Sequence, residues 1–242
     1  MIREALGRFG HENLGFFWII GEPMLLTCGV MAMWSLAGID KGHGVGVIPF
    51  ALTGYSMITL WRHLTSGSVR ALRASTPLLF HRKIRVLDIL MARATLECVG
   101  GLAAFLISYT IFNLLGYVET MDDPLLALSA WLLMTWFSFA FSLIVAGITE
   151  IWEMTGHFIG PALYLTLPIT GAFYMVHWLP ETAQQVVKWS PLVQPFEMFR
   201  AGMFGSHVPT EWSAPYLIIW CLFLTGIGLP LLEKAQRHIQ LQ

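Results

Sequence analysis

The chain has 242 residues, 56% apolar and 12% charged, with a mean hydropathy of +0.64. Soluble domains carry about 25% charged residues, so this composition excludes a soluble globular enzyme and points to a polytopic membrane protein. The net charge of −1 is uninformative as a sum; its distribution along the chain carries the signal.

Residues 1–14 mix polar and apolar side chains and end just before Gly15. Such a segment reads as an interfacial helix or as an ordinary charged flank. An apolar run of about 20 residues crosses a hydrocarbon core about 30 Å thick. Six runs qualify: 15–36, 45–61, 95–116, 125–149, 158–178 and 213–232. Ser35-Leu36-Ala37 has the small-x-small spacing of a cleavage site. The run before it is nevertheless longer than the usual apolar region of about 7–15 residues, and Glu22-Pro23 interrupts it, so it reads as a retained span.

Lys and Arg fall on one side. Arg3 and Arg8, then Arg62, Arg70, Arg73, Arg82, Lys83, Arg85 and Arg93, then Lys234 and Arg237 make eleven of the 14. Lys41, Lys188 and Arg200 fall on the other side, where the loop after the third run carries only Glu119, Asp122 and Asp123. The positive-inside rule puts both termini and the 62–93 loop in the cytoplasm. An even number of spans requires the same.

Pro77 divides the 62–93 loop. Ser68 has the chemistry to cap a short helix through Leu72, and Ile84, Leu87 and Met91 recur as a helical stripe. The cations around that stripe either anchor the loop to anionic lipid, at about 1 kcal/mol per residue, or dock a cytoplasmic partner. On the outer side, Pro180, Pro191, Pro195 and Pro209 cut residues 179–212 into pieces. Residues 181–189 and 196–204 read as short helices, the second with Phe196, Phe199 and Met203 on one face. Such pieces can dip into a membrane where protein covers their backbone.

There is no G-x-x-x-x-G-K-[ST] phosphate loop, no H-E-x-x-H, and no nucleophile paired with a base. Cys28, Cys98 and Cys221 all sit inside apolar runs without motif neighbours and read as small core residues. The chain is therefore expected not to be an enzyme and to hold no metal. Glu22 is the clearest intramembrane acid, costing about 2.5–3.5 kcal/mol at depth, and is either functional or locally hydrogen-bonded; Pro23 should kink the helix. Arg93 and Glu97, four apart, read as a structural ion pair. Glu150 and Glu153 read as a solvated turn or as an acidic contact for a basic partner. Trp131, Trp136, Phe137, Phe139 and Phe141, with Tyr164, Phe173 and Tyr174, include deep positions that suit an aromatic-lined conduit, although any one ring is as readily core or lipid-facing.

Three stretches together resemble the membrane subunit of ABC-2 type exporters, in its capsular polysaccharide branch. The first is Arg8-Phe9-Gly10-x-x-Asn13-Leu14-Gly15-Phe16-Phe17-Trp18 with Glu22-Pro23. The second is Phe80-His81-Arg82-Lys83-Ile84-Arg85-Val86-Leu87-Asp88 with Ala92-Arg93 and Glu97. The third is Trp178-Leu179-Pro180, Trp189-Ser190-Pro191-Leu192-Val193 and Glu197-Met198-Phe199-Arg200-Ala201-Gly202. Gln194-Pro195 departs from the His-Gly common in that branch.

The resemblance implies an all-α fold of six transmembrane helices in one domain, 1–242. An N-terminal interfacial helix (1–14), a cytoplasmic coupling helix within 70–88 and a re-entrant periplasmic gate (181–204) would complete it. It implies a homodimer with two copies of a separate ATPase that holds ATP and magnesium, a polysaccharide copolymerase, an outer-membrane channel, and a lipid-linked glycan as cargo in a bacterial inner membrane. No nucleic acid is expected. Coupling would then fall to Arg70, Arg73, Arg82, Lys83, Arg85, Asp88, Glu150 and Glu153. The conduit would involve Trp18, Glu22, Pro23, Tyr164, Phe173 and Tyr174, and the gate Trp189, Pro191, Glu197 and Arg200. O-antigen, teichoic acid or a lipophilic small molecule is the alternative cargo. An intramembrane enzyme or haem protein and a non-transporting scaffold are the alternatives of other classes.

Overall fold

The structure, a computed structural model, describes residues 45–69 and 85–240, without the side chains of Glu153 and of 238–240. Its helices are α1 (Val47–Ser68), α2 (Val86–Leu114), α3 (Pro124–Ile151), α4 (Gly156–Thr166), α5 (Glu181–Val187), α6 (Val193–Phe204) and α7 (Ala214–Gln240). Short 3-10 turns at Glu153–Thr155, Leu167–Ile169, Val176–Trp178 and Gly205–His207 link them, and no strand occurs among the described residues. The first apolar run, the 1–14 segment and Pro77 lie outside these residues, as do Trp18, Glu22, Pro23, Arg70, Arg73, Arg82 and Lys83.

The helix α3 is the axis of the bundle and packs against α7, α6, α1 and α2. A helix apolar on all sides must be buried on most of them. Ala130, Trp131, Met134, Ala140 and Leu143 accordingly have no exposed surface. Asp123 starts α3: its Oδ1 accepts from the N–H groups of Leu125 and Leu126, both at 3.0 Å, ahead of Pro124 in the first turn. The rings of Phe105, Trp131 and Phe199 join α2, α3 and α6, with centroids 5.1–6.2 Å apart. Trp61 of α1 packs on Phe137 and Phe141. The span-four aromatics therefore include core residues, with Trp131 and Phe137 buried inside the protein.

Helices α2, α3 and α7 are long and apolar enough to cross a membrane. The 29 residues of α2 extend about 43 Å at 1.5 Å per residue. It ends in a Schellman motif, in which Gly116 (φ +77°) lets the N–H of Tyr117 reach the carbonyl of Phe112 at 2.9 Å.

Several sequence expectations are corrected. Residues 158–178 are not one continuous helix. The chain is helical only to Thr166, passes through a 3-10 turn containing Pro168, and turns at Gly171 (φ +78°). An 11-residue helix reaches only about 16 Å, short of a bilayer core. The 62–93 loop is shorter than expected, because α1 runs to Ser68 and α2 begins at Val86. Ser68 ends α1, where its hydroxyl donates to the carbonyl of Thr65 at 2.7 Å; the short helix expected through Leu72 lies outside the described residues. The core face of α2 is Val86, Leu90, Ala94 and Glu97, whereas Met91 is 52% exposed and Leu87 half-buried. Periodicity located a helix, whose core face lies one position back from the stripe, at Val86 and Leu90. The pieces at 181–189 and 196–204 are helical, as α5 and α6.

Candidate functional site

The outer end of the bundle is organised by α6. All its residues from Val193 to Met203 are buried, Arg200 and Glu197 completely. Gln194, Glu197 and Arg200 recur every three residues and line one edge of the helix. Arg200 Nη1 donates to the carbonyls of Gly171 and Tyr174, each at 2.7 Å, and Nη2 to that of Ala172 at 2.8 Å. Its guanidinium carbon also lies 4.3 Å from the centre of the Phe50 ring on α1. Glu197 accepts from the N–H groups of Val176 (3.1 Å) and Glu211 (3.2 Å). Gln194 accepts from the Ser213 N–H at 2.8 Å and donates to the Lys188 carbonyl at 3.0 Å.

Three side chains thus satisfy the irregular backbone on both flanks of α6. Buried N–H and C=O groups outside regular structure require such partners. The arrangement pins the turn after α4 to the segment leading into α7. Lys188 and Glu211 close the same junction with a surface ion pair.

Burial pushes the Glu197 carboxyl above its usual range, against the pull of Arg200 and of its two N–H donors. Burial lowers Arg200 to about 10, opposed by the Glu197 charge, so the guanidinium stays cationic at neutral pH. Charge removed from one member of such a buried set strands the other, at about 3–5 kcal/mol.

The expected gate and conduit residues partly converge here. Phe173 and Tyr174 stand in the turn that Arg200 holds, and Phe173 meets Tyr55 edge-on at 5.8 Å. Trp189 is 77% exposed beyond α5, and its carbonyl accepts from the Tyr216 hydroxyl at 2.7 Å; Pro191 is half-buried. Tyr164 lies apart, exposed on α4, with its hydroxyl 3.0 Å from Arg62 Nη2 and its ring under the same guanidinium.

At the opposite end, Arg85 and Asp88 start α2, where the Asp88 carboxylate accepts from the Arg85 N–H at 3.0 Å. A cavity of about 420 Å³ lies beside them, lined by Arg85, Leu87, Leu232, Glu233 and Arg237 among others. Glu150 is not in a solvated turn: it belongs to the last turn of α3 and is 6% exposed. Glu97, expected beside Arg93, also accepts across the bundle from His63 Nδ1 at 3.3 Å.

Sequence reasoning missed Gln194 as a backbone clamp and Gly54 as a contact point. A β-carbon on Gly54 would collide with the Ala172 carbonyl oxygen. Only the Pro168 and Gly171 punctuation hinted that an ordered turn needed holding.

The ABC-2 type transporter family matches residues 1–204 of the chain. The capsule polysaccharide export inner-membrane protein BexB of Haemophilus influenzae is 35% identical over all 242 residues, which cover 91% of BexB. The capsule polysaccharide export inner-membrane protein CtrC of Neisseria meningitidis serogroup B is 34% identical over the same span and share. The polysialic acid transport protein KpsM of Escherichia coli is 24% identical over 239 residues, 97% of this chain and 91% of KpsM. The chain belongs to the ABC-2 type transporter family.

Proposed function

We propose that the chain is the membrane-spanning permease subunit of an ATP-driven exporter that moves capsular polysaccharide across a bacterial inner membrane. The observation that carries this reading is full-length similarity to BexB and CtrC, both named for capsule polysaccharide export at the inner membrane. The alternative cargoes of the same fold, O-antigen, teichoic acid or a lipophilic small molecule, lack such a relative among these.

In this reading six segments cross the membrane with both termini cytoplasmic, the fifth as the broken helix from α4 to the 176–178 turn. Two copies of the chain pair with two copies of a separate ATPase that holds ATP and magnesium. A copolymerase and an outer-membrane channel receive the lipid-linked glycan. Arg70, Arg73, Arg82, Lys83, Arg85, Asp88 and Glu153 face the ATPase, while Glu150, expected with them, is covered in the last turn of α3. Trp18, Glu22, Pro23, Tyr164, Phe173 and Tyr174 line the path, and α5 with α6 forms the outer gate. The burial of α6 supports that last role, since non-helical backbone at membrane depth is tolerated only under protein cover.

The test is a mild-detergent pull-down of the tagged chain from its native cells, with mass spectrometry and an ATPase assay. A stoichiometric ATPase bearing a phosphate loop, with export lost when Arg82, Lys83 and Arg85 are replaced by Glu, is the expected result. A chain that elutes alone, or a correctly inserted triple variant that exports normally, overturns the assignment.

A further inference from the structure

We propose that the α1–α4 cleft at the inner end of the bundle binds the phosphate of an anionic membrane lipid, with Arg62 as its principal ligand. Thr59, Arg62, His63 and Ser66 fall at i, i+3, i+4 and i+7, so they share one face of α1. That face is polar on a helix whose other positions, Leu52, Met57, Ile58, Leu60, Trp61 and Leu64, are buried apolar core. Across from it, α4 contributes Gly160, Leu163 and Tyr164, and the walls enclose about 100 Å³. Within that stripe His63 is bonded to Glu97 of α2 at 3.3 Å and the Ser66 hydroxyl donates to the Arg62 carbonyl at 2.6 Å, while the Arg62 guanidinium lines the cavity.

The groups present suit a phosphate. A guanidinium offers five N–H donors in a fork that matches phosphate oxygens. Among the described residues the Arg62 guanidinium makes one hydrogen bond, to the Tyr164 hydroxyl, and that contact and the ring beneath it hold the fork at the cleft. Two hydroxyls and an imidazole stand on the same face. The volume suits one headgroup and not a sugar chain, because sites for drug-sized ligands run to about 300–1,000 Å³.

The surroundings point to a lipid as the source. On α4, Phe158 and Leu165 are 66% and 78% exposed on the face away from the cleft, and in the membrane reading Arg62 stands near the cytoplasmic end of α1, where anionic headgroups gather. A lipid phosphate and a free phosphate share the same recognition chemistry, and competition separates them. The inference rests on the membrane reading and on neither the cargo nor the ATPase, so it can fail while the exporter assignment stands, and conversely.

The test is native mass spectrometry of the purified full-length chain titrated with dioleoyl phosphatidylglycerol or dioleoyl phosphatidylcholine. Wild type should retain the anionic lipid in preference to the zwitterionic one. Arg62→Gln should weaken that retention about tenfold or more, as expected for a charge-assisted bond. Gly160→Leu keeps every polar group but fills the cleft, where a β-carbon meets nothing within 4 Å, and should weaken it similarly. It therefore serves if Arg62→Gln fails to fold. Displacement by millimolar inorganic phosphate would support a phosphate site open to the free ion. Resistance to it would support a site that needs the lipid. Equal retention of both lipids by wild type, or undiminished retention in a folded variant, overturns the proposal.

Discussion

Arg200 and Gly54 meet where α6 crosses α1: a β-carbon on Gly54 would stand 3.2 Å from Arg200 Nη2 while colliding with the Ala172 carbonyl that Nη2 holds. The absent side chain is what lets the 171–174 turn sit between the two helices. Gly54→Ala should therefore overpack the junction and cost about 1–3 kcal/mol, read as a lower thermal midpoint in detergent. Gly100→Ala in α2, where nothing lies within 4 Å, should leave the midpoint unchanged or raise it, since Ala exceeds Gly as a helix former by about 1 kcal/mol. Equal midpoints for Gly54→Ala and wild type would refute the close approach.

Arg200→Met removes the donor for three carbonyls and leaves Glu197 as a buried charge without its cation. The expected cost is about 3–5 kcal/mol. Arg200→Lys should recover only part of it, because an ammonium cannot match the fork that spans Gly171, Ala172 and Tyr174. Insertion into membranes should persist in both variants, as the long apolar helices are untouched. The check is thermal unfolding beside a protease-protection assay of topology. A lysine variant as stable as wild type would show that charge alone suffices.

Glu197 yields a pH prediction. Its folded-state carboxyl is raised above the ordinary value of 4.5 by burial. A raised group binds protons more tightly when folded, so its contribution is fully present below the unfolded value and is lost as pH rises through the folded one. The stability advantage of wild type over Glu197→Gln should thus grow as pH falls from 7 toward 5. Midpoints of both proteins across that range test it, and a gap that shrinks on acidification would reverse the sign.

Two glycines set the distance between α3 and α7. A β-carbon on Gly228 would lie 2.7 Å from Leu143 Cβ, and one on Gly147 would lie 2.7 Å from Leu231 Cγ. Small residues at such crossings allow the close approach on which membrane helices rely for packing. Gly228→Val and Gly147→Val should each force the pair apart and cost about 1–3 kcal/mol. A cysteine pair engineered across α3 and α7 should then crosslink more slowly than in the parent. Unchanged crosslinking would mean that the helices accommodate the branch.

Much of the architecture was legible before any coordinates. The run at 125–149 lies within α3, 213–232 lies within α7 except for Ser213, and 95–116 overlaps most of α2, because apolar composition over about 20 residues is a local property. The Phe196, Phe199 and Met203 stripe marks the buried α6 for the same reason. The stripe through Leu87 and Met91 marked a helix, but the core face of α2 lies one position back, at Val86 and Leu90, with Leu87 half-buried and Met91 52% exposed. Periodicity names faces only relative to one another, and neighbours decide which is inside.

By itself, then, the sequence determined a helical membrane protein and its family membership, both of which depend on composition and order along the chain. The tertiary structure decided that residues 158–178 break at Pro168 and Gly171, that Glu197 and Arg200 lie buried as clamps on backbone, and that Glu150 is covered. It also set Arg62 against Tyr164, 102 positions further along. Those outcomes depend on which distant carbonyl or ring a side chain meets, and hydrogen bonds of 2.7–3.2 Å cannot be read from spacing along one strand of text when packing against α3 sets the distances.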